Sequence, residues 1–152
     1  MLHNELALFL AHSLALESEA RERYLELSES LAAHHNGDAA AFFQRMAREA
    51  EQHLEEVAEL AADQALPQLQ PWDYTWPGPE APESASYEAL HYRMSLGEAM
   101  HLALGKERDA AAYYREAANA SLDAETRRVA AGFAAEEERH AAALEAMIAE
   151  LD

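Results

Sequence analysis

All five prolines of the chain, both tryptophans and Gly78 fall within residues 67–87, and that stretch cannot be helix. Proline lacks a backbone N–H and its ring collides with the preceding turn. The run Pro71-Trp72-Asp73-Tyr74-Thr75-Trp76-Pro77-Gly78-Pro79 therefore cuts the 152-residue chain into two proline-free halves. In each half, apolar residues recur at helical spacing, in four segments of approximate extent Asn4 to His34, Asp38 to Leu66, Ser95 to Ala120 and Asp123 to Leu151. Only 8% of residues are aromatic, and Ala, Glu and Leu dominate, which favours helices over strands. The expected fold class is all-α, in a single domain over 1–152 with helical hairpins 4–66 and 95–151.

The turns inside the halves are short. His35-Asn36-Gly37-Asp38 reads as a C-terminal glycine followed by an Asp N-cap, and Ser121-Leu122-Asp123 as a turn whose Asp123 caps the last helix. Each half is thus an antiparallel pair. The middle connection, 67–94, is long enough to return along a helix of roughly 38 Å, which would set helices 2 and 3 parallel. Its tryptophans are expected to cover the bundle surface or a dimer contact.

Charge narrows the partners. With 29 acidic against 11 basic residues the formal charge is -18, which repels nucleic acid and anionic lipid, and no stretch reaches the roughly 20 apolar residues of a membrane span. The apolar start from Leu6 to Leu16 lacks a basic leader and contains His12, so it reads as the first mature helix of a cytoplasmic protein. No cysteine is present, so the sequence holds neither disulfide nor thiolate metal site.

The chemistry is signalled by acids in apolar stripes. Glu107 shares its helical face with Leu96, Met100, Ala103, Leu104, Ala110, Ala111, Tyr114 and Ala118, and Glu17 shares one with Leu6, Leu10, Leu14, Ala20, Tyr24 and Leu31. A carboxylate buried there costs several kcal/mol unless a cation, donor or metal compensates it. Glu137 and His140 are three residues apart and project from one face, a spacing that can place an oxygen and an imidazole nitrogen on one ion. His53 lies with Phe42, Met46, Val57 and Leu60. The halves also repeat: Glu17 and Tyr24 correspond to Glu107 and Tyr114, Met46 to Phe133, Glu49 to Glu136, and His53 to His140.

These positions resemble the ferritin-like superfamily, and within it the rubrerythrin-like proteins, over essentially the whole chain. The resemblance implies a four-helix bundle with a long crossover and two irons held by a Glu from each of helices 1 and 3 and a Glu-x-x-His from each of helices 2 and 4. On that pattern the metal ligands are Glu17, His53, Glu107, Glu137 and His140. The chain departs from the pattern at one place: Ala50 stands three residues before His53, where the family has a bridging Glu. Glu49 and Glu56 flank that face and are the candidate substitutes.

The expected function is iron-dependent chemistry on dioxygen or peroxide, at a di-iron site that Ala50 leaves incomplete, in a homodimer supplied by an external electron donor. Two alternatives stand beside it. One is a non-catalytic bundle holding a single structural or storage ion, zinc or manganese. The other is a metal-free interaction module whose buried acids pair with Arg21 or tyrosine hydroxyls. Glu98 and His101 repeat the Glu-x-x-His spacing but point away from the Glu107 stripe and read as a surface pair, while His12, His34, His35 and His91 show no convergent partners.

Overall fold

The computed structural model describes residues 5–69 and 93–151; the tryptophans, His91 and most of the crossover lie outside the described residues. Four helices follow in order: α1 Glu5–Ala33, α2 Gly37–Ala61, α3 Leu96–Ala120 and α4 Ala124–Leu151. No strand occurs among the described residues. The architecture is the ferritin-like four-helix bundle.

The two hairpins pack tightly within themselves, α1 on α2 and α3 on α4, and meet along α2–α3 and α1–α4. Side-chain bonds at the two ends fix the directions. Asn36, at the start of α2, donates from Nδ2 to the Met94 carbonyl just before α3, at 2.7 Å. Helices α2 and α3 therefore begin at the same end and run parallel, as the long connection requires. At the opposite end the Glu5 carboxylate accepts from Ser121 Oγ at 2.9 Å and from the Asp123 N–H at 2.7 Å, which places the starts of α1 and α4 together.

Local chemistry sets the helix ends. Ser95 and Glu98 form a reciprocal capping box on α3, each accepting from the other's backbone N–H at 3.0 Å. Asp123 accepts from the Thr126 N–H at 2.9 Å and from its hydroxyl at 2.6 Å, the cap expected from the sequence. An Asp123→Ala variant is expected to melt a few degrees lower by circular dichroism, because the first turn of α4 loses its cap.

Two boundaries differ from expectation. Gly37 is the first residue of α2 rather than a terminator of α1; Asn36 takes the N-cap position, and His35, at φ 62°, makes the left-handed step. The Asn36 N–H closes the end of α1 by donating to the Leu31 carbonyl at 2.8 Å, so the turn is satisfied without glycine. Helix α2 also stops at Ala61 instead of Leu66: a turn follows in which the Gln64 N–H donates to the Ala61 carbonyl at 2.9 Å, ahead of Pro67, whose ring and missing N–H rule out a continuing helix.

The core is split into two apolar layers. One contains Tyr24, Leu27, Leu31, Phe42, Phe43, Met46, Met100, Leu104 and Leu144. The other contains Leu6, Phe9, Leu10, Leu16, Val57, Tyr114, Val129 and Phe133. On every helix the break between layers falls at the polar positions singled out above: Glu17 on α1, Ala50 and His53 on α2, Glu107 on α3, Glu137 on α4. A polar belt at mid-height is sealed by hydrocarbon above and below.

Candidate metal centre

Helical phase brings the belt together. Glu17, His53 and Glu137 are 5%, 1% and 3% exposed, so all three surrender their hydration to the bundle interior. His53 Nδ1 lies 3.1 Å from Glu17 Oε2 and 3.1 Å from Glu137 Oε1. Two ligand atoms bound to one ion at about 2.1 Å and at right angles are separated by about 3.0 Å, so these spacings already match an edge of a coordination polyhedron. Across the belt, Glu107, Glu137 and His140 bring one ligand atom each within 4.8 Å of one another. The two groups share Glu137.

A cavity of about 20 Å³ lies between them, lined by Glu17, Ala20, Tyr24, Glu49, Ala50, His53, Glu107, Glu137 and His140. That is room for a single water or ion, since a water needs about 10–15 Å³ by the same measure. A narrow crevice of about 30 Å³, lined in part by Arg45, Met46, Glu49, His140 and Met147, adjoins it through Glu49 and His140.

The surrounding side chains orient the acids. Tyr114, fully buried, donates to Glu17 Oε2 at 2.7 Å. Phe133 stands edge-on to the His53 ring, centroids 4.9 Å apart and planes at 90°, and holds that ring in place. The Nδ1 contacts of His53 fall short of hydrogen-bond geometry, its Nε2 has no hydrogen-bond partner, and Glu137 Oε2, 3.7 Å from His140 Nδ1, completes none. Buried polar atoms are nearly always satisfied, so three orphans in one belt, of the oxygen and imidazole types that bind iron, manganese or zinc, fit a metal ion.

Electrostatics agree with a site strained by excess acid. Burial pushes the Glu107 carboxyl well above its ordinary range, and the neighbouring Glu137 adds to the rise. Glu17 is also raised by burial, against the pull of His53. Glu137 resists its own burial: contacts with Glu107, His140 and His53 hold it below the usual carboxylate range. Burial opposes charge on His53, yet Glu137 and Glu17 overcome it and raise the imidazole to about 10. Without a metal, shared protons and one imidazolium hold the acids together.

The five ligands expected from the sequence, Glu17, His53, Glu107, Glu137 and His140, all line this cavity. Glu107 and His140 are half-buried as residues, on the side nearer solvent. Of the two substitutes for the missing helix-2 carboxylate, Glu49 also lines the cavity, with Arg45 at 4.0 Å, whereas Glu56 is exposed and groups with His53 and Glu136 instead. Ala50 faces the cavity, so no side chain of α2 supplies a carboxylate at that position. Arg21 does not neutralise the buried acids: it donates to Glu51 at 2.8 Å. Glu98 is occupied by the capping box, and His101 is exposed. Glu136, which joins the outer group of His53 and Glu56, is the counterpart of Glu49 in the repeat, and this equivalence is its one signal in the sequence.

The rubrerythrin family profile matches residues 9–148. The chain belongs to the rubrerythrin family. Among solved structures it is similar to an uncharacterized conserved protein from Magnetospirillum magnetotacticum MS-1, at 40% identity over 97% of this chain and 95% of that one, with a TM-score of 0.75. No curated protein matches. No helix among the described residues is long and apolar enough to cross a membrane.

Proposed function

We propose that this rubrerythrin-family chain binds iron in the mid-height belt and supports oxidation by dioxygen or peroxide. The observation that carries the reading is the pair of carboxylate–imidazole groups joined through Glu137, with orphaned donor atoms, enclosed between two apolar layers. Iron held there supplies electron transfer to the oxidant, a chemistry that side chains alone cannot perform. The residues do the rest. Glu17, fixed by Tyr114, and Glu137 present oxygen atoms to His53 without rearrangement. The two apolar layers exclude bulk water, which strengthens each charge interaction in the belt. The crevice beside His140 suits a reactant no larger than dioxygen or peroxide. Electrons come from an external reductant, and the working form is a homodimer.

Aerobic addition of Fe(II) to the apo protein tests this. Wild type is expected to oxidise Fe(II) at least about tenfold faster than a Glu107→Ala, His140→Ala variant, given the cost of losing ligand-level contacts. Equal rates, with no rise in melting temperature on metal addition, would remove the proposal, because a ligand specific for the folded state must stabilise it.

The size of the cavity and the alanine at position 50 favour a second reading, one structural or stored ion such as zinc or manganese without turnover. One tightly held metal per chain, and no oxidation even in an Ala50→Glu variant, would decide for it.

A further inference from the structure

His53 faces acids on two sides. Its Nδ1 is turned to Glu17 and Glu137 in the belt. Away from that pair, Glu56, one turn further along α2, and Glu136 on α4 bring carboxylate oxygens within 4.8 Å of a His53 ring nitrogen and of each other. The imidazole is 1% exposed, and its Nε2 has no hydrogen-bond partner. Buried polar atoms are nearly always satisfied, so an unpartnered nitrogen on a ring that two further carboxylates approach is consistent with a bound ligand.

Burial is graded along this group: Glu56 is exposed, Glu136 half-buried and His53 fully buried. Two carboxylates and one imidazole make a borderline donor set of the kind that suits manganese, iron, cobalt and zinc. Glu56 and Glu137 oppose charge on Glu136, and the imidazoles of His53 and His140 favour it. A chain with a net charge of -18 also concentrates divalent cations at its surface.

We propose that His53, Glu56 and Glu136 form a second divalent-cation site, outside the belt and open to solvent. Occupied through Nε2, this outer site leaves the Nδ1 proton directed towards Glu17 and Glu137. The inference shares only His53 with the proposed iron site, and the two can fail separately.

Calorimetric titration of the apo protein with Co(II) tests it in three variants. A Glu56→Gln, Glu136→Gln protein is isosteric at both positions and is expected to lose one class of binding, seen as at least a tenfold weakening or a lost equivalent. A Glu29→Gln, Glu150→Gln protein carries the same charge change at two exposed positions and is expected to titrate as wild type. A Glu107→Ala, His140→Ala protein is expected to keep the outer class. In Co(II)-soaked crystals, an anomalous peak between His53, Glu56 and Glu136 is the direct expectation. A first variant indistinguishable from the charge control, or cobalt confined to the belt, overturns the outer site and leaves the iron proposal standing. A first variant that loses a class of binding while the third titrates as wild type does the reverse.

Discussion

Glu137→Gln is expected to abolish metal-dependent stabilisation and to weaken the apo protein by about 3 kcal/mol, a fall of roughly 6–12 °C in melting temperature. Glu137 is the one acid common to both ligand groups, so its loss removes an oxygen from each. In the apo protein the same carboxylate faces His53 at 3.1 Å and is held ionised, against its burial, by Glu107, His140 and His53. An amide keeps the shape but not the charge, and leaves a buried imidazolium with a single carboxylate, Glu17, at contact distance. Breaking one side of a buried charge network costs more than the network contributes, because the abandoned partner stays desolvated. Thermal melts with and without Mn(II) measure both effects. A variant that still gains several degrees on metal addition would show that Glu137 is not the shared ligand.

The apo protein is expected to lose stability as pH rises from about 6.5 to about 10. The folded state raises His53 from 6.5 to about 10, so it binds that proton more tightly than the unfolded chain does. Its stabilisation is complete below about 6.5, declines through the interval and is gone above about 10. Glu17 and Glu107, both raised, act in the same direction from lower pH, while Glu137, lowered, stabilises above the ordinary carboxylate range and fails only in strong acid. At 1.36 kcal/mol per pKa unit the His53 contribution alone is at most about 5 kcal/mol, and sharing among the coupled acids reduces it to a few. A bound divalent ion replaces the proton, so saturating Mn(II) is expected to flatten the profile. Melting temperatures at pH 5–10, in chelator and in excess metal, provide the comparison; equal slopes in both would contradict a protonated His53 at the centre of the belt.

Much of the site was legible because helical periodicity converts sequence spacing into direction. Glu107 among eight apolar neighbours had to point inward, and Glu137 with His140 had to share a face. The repeat between the halves then matched Glu17 to Glu107 and His53 to His140. Three features were less legible. Glu56 satisfied the same helical offset as an inward-facing ligand but lies exposed beside Glu136, because an offset of three residues fixes a face only to within the width of a side chain. Arg21 is four residues from Glu17 in sequence, a spacing that permits a pair, yet it reaches across to Glu51 on α2. The turn at residues 34–37 contained a glycine that the local pattern assigned to a helix end, whereas a bond from Asn36 to Met94, 58 residues away, helps to set that boundary.

Sequence by itself determined the helices, their pairing into hairpins, and the identity of the five inward-facing groups, since each follows from proline exclusion or from a period of 3.6 residues within one element. Tertiary structure alone decided that Glu137 is the acid shared by two carboxylate–imidazole groups, that His53 is pressed between Glu17 and Glu137, and that Glu56 and Glu136 approach the same ring. Those are distances between helices. They depend on how four rods are rotated and raised against one another by two apolar layers, which no spacing within a single helix contains.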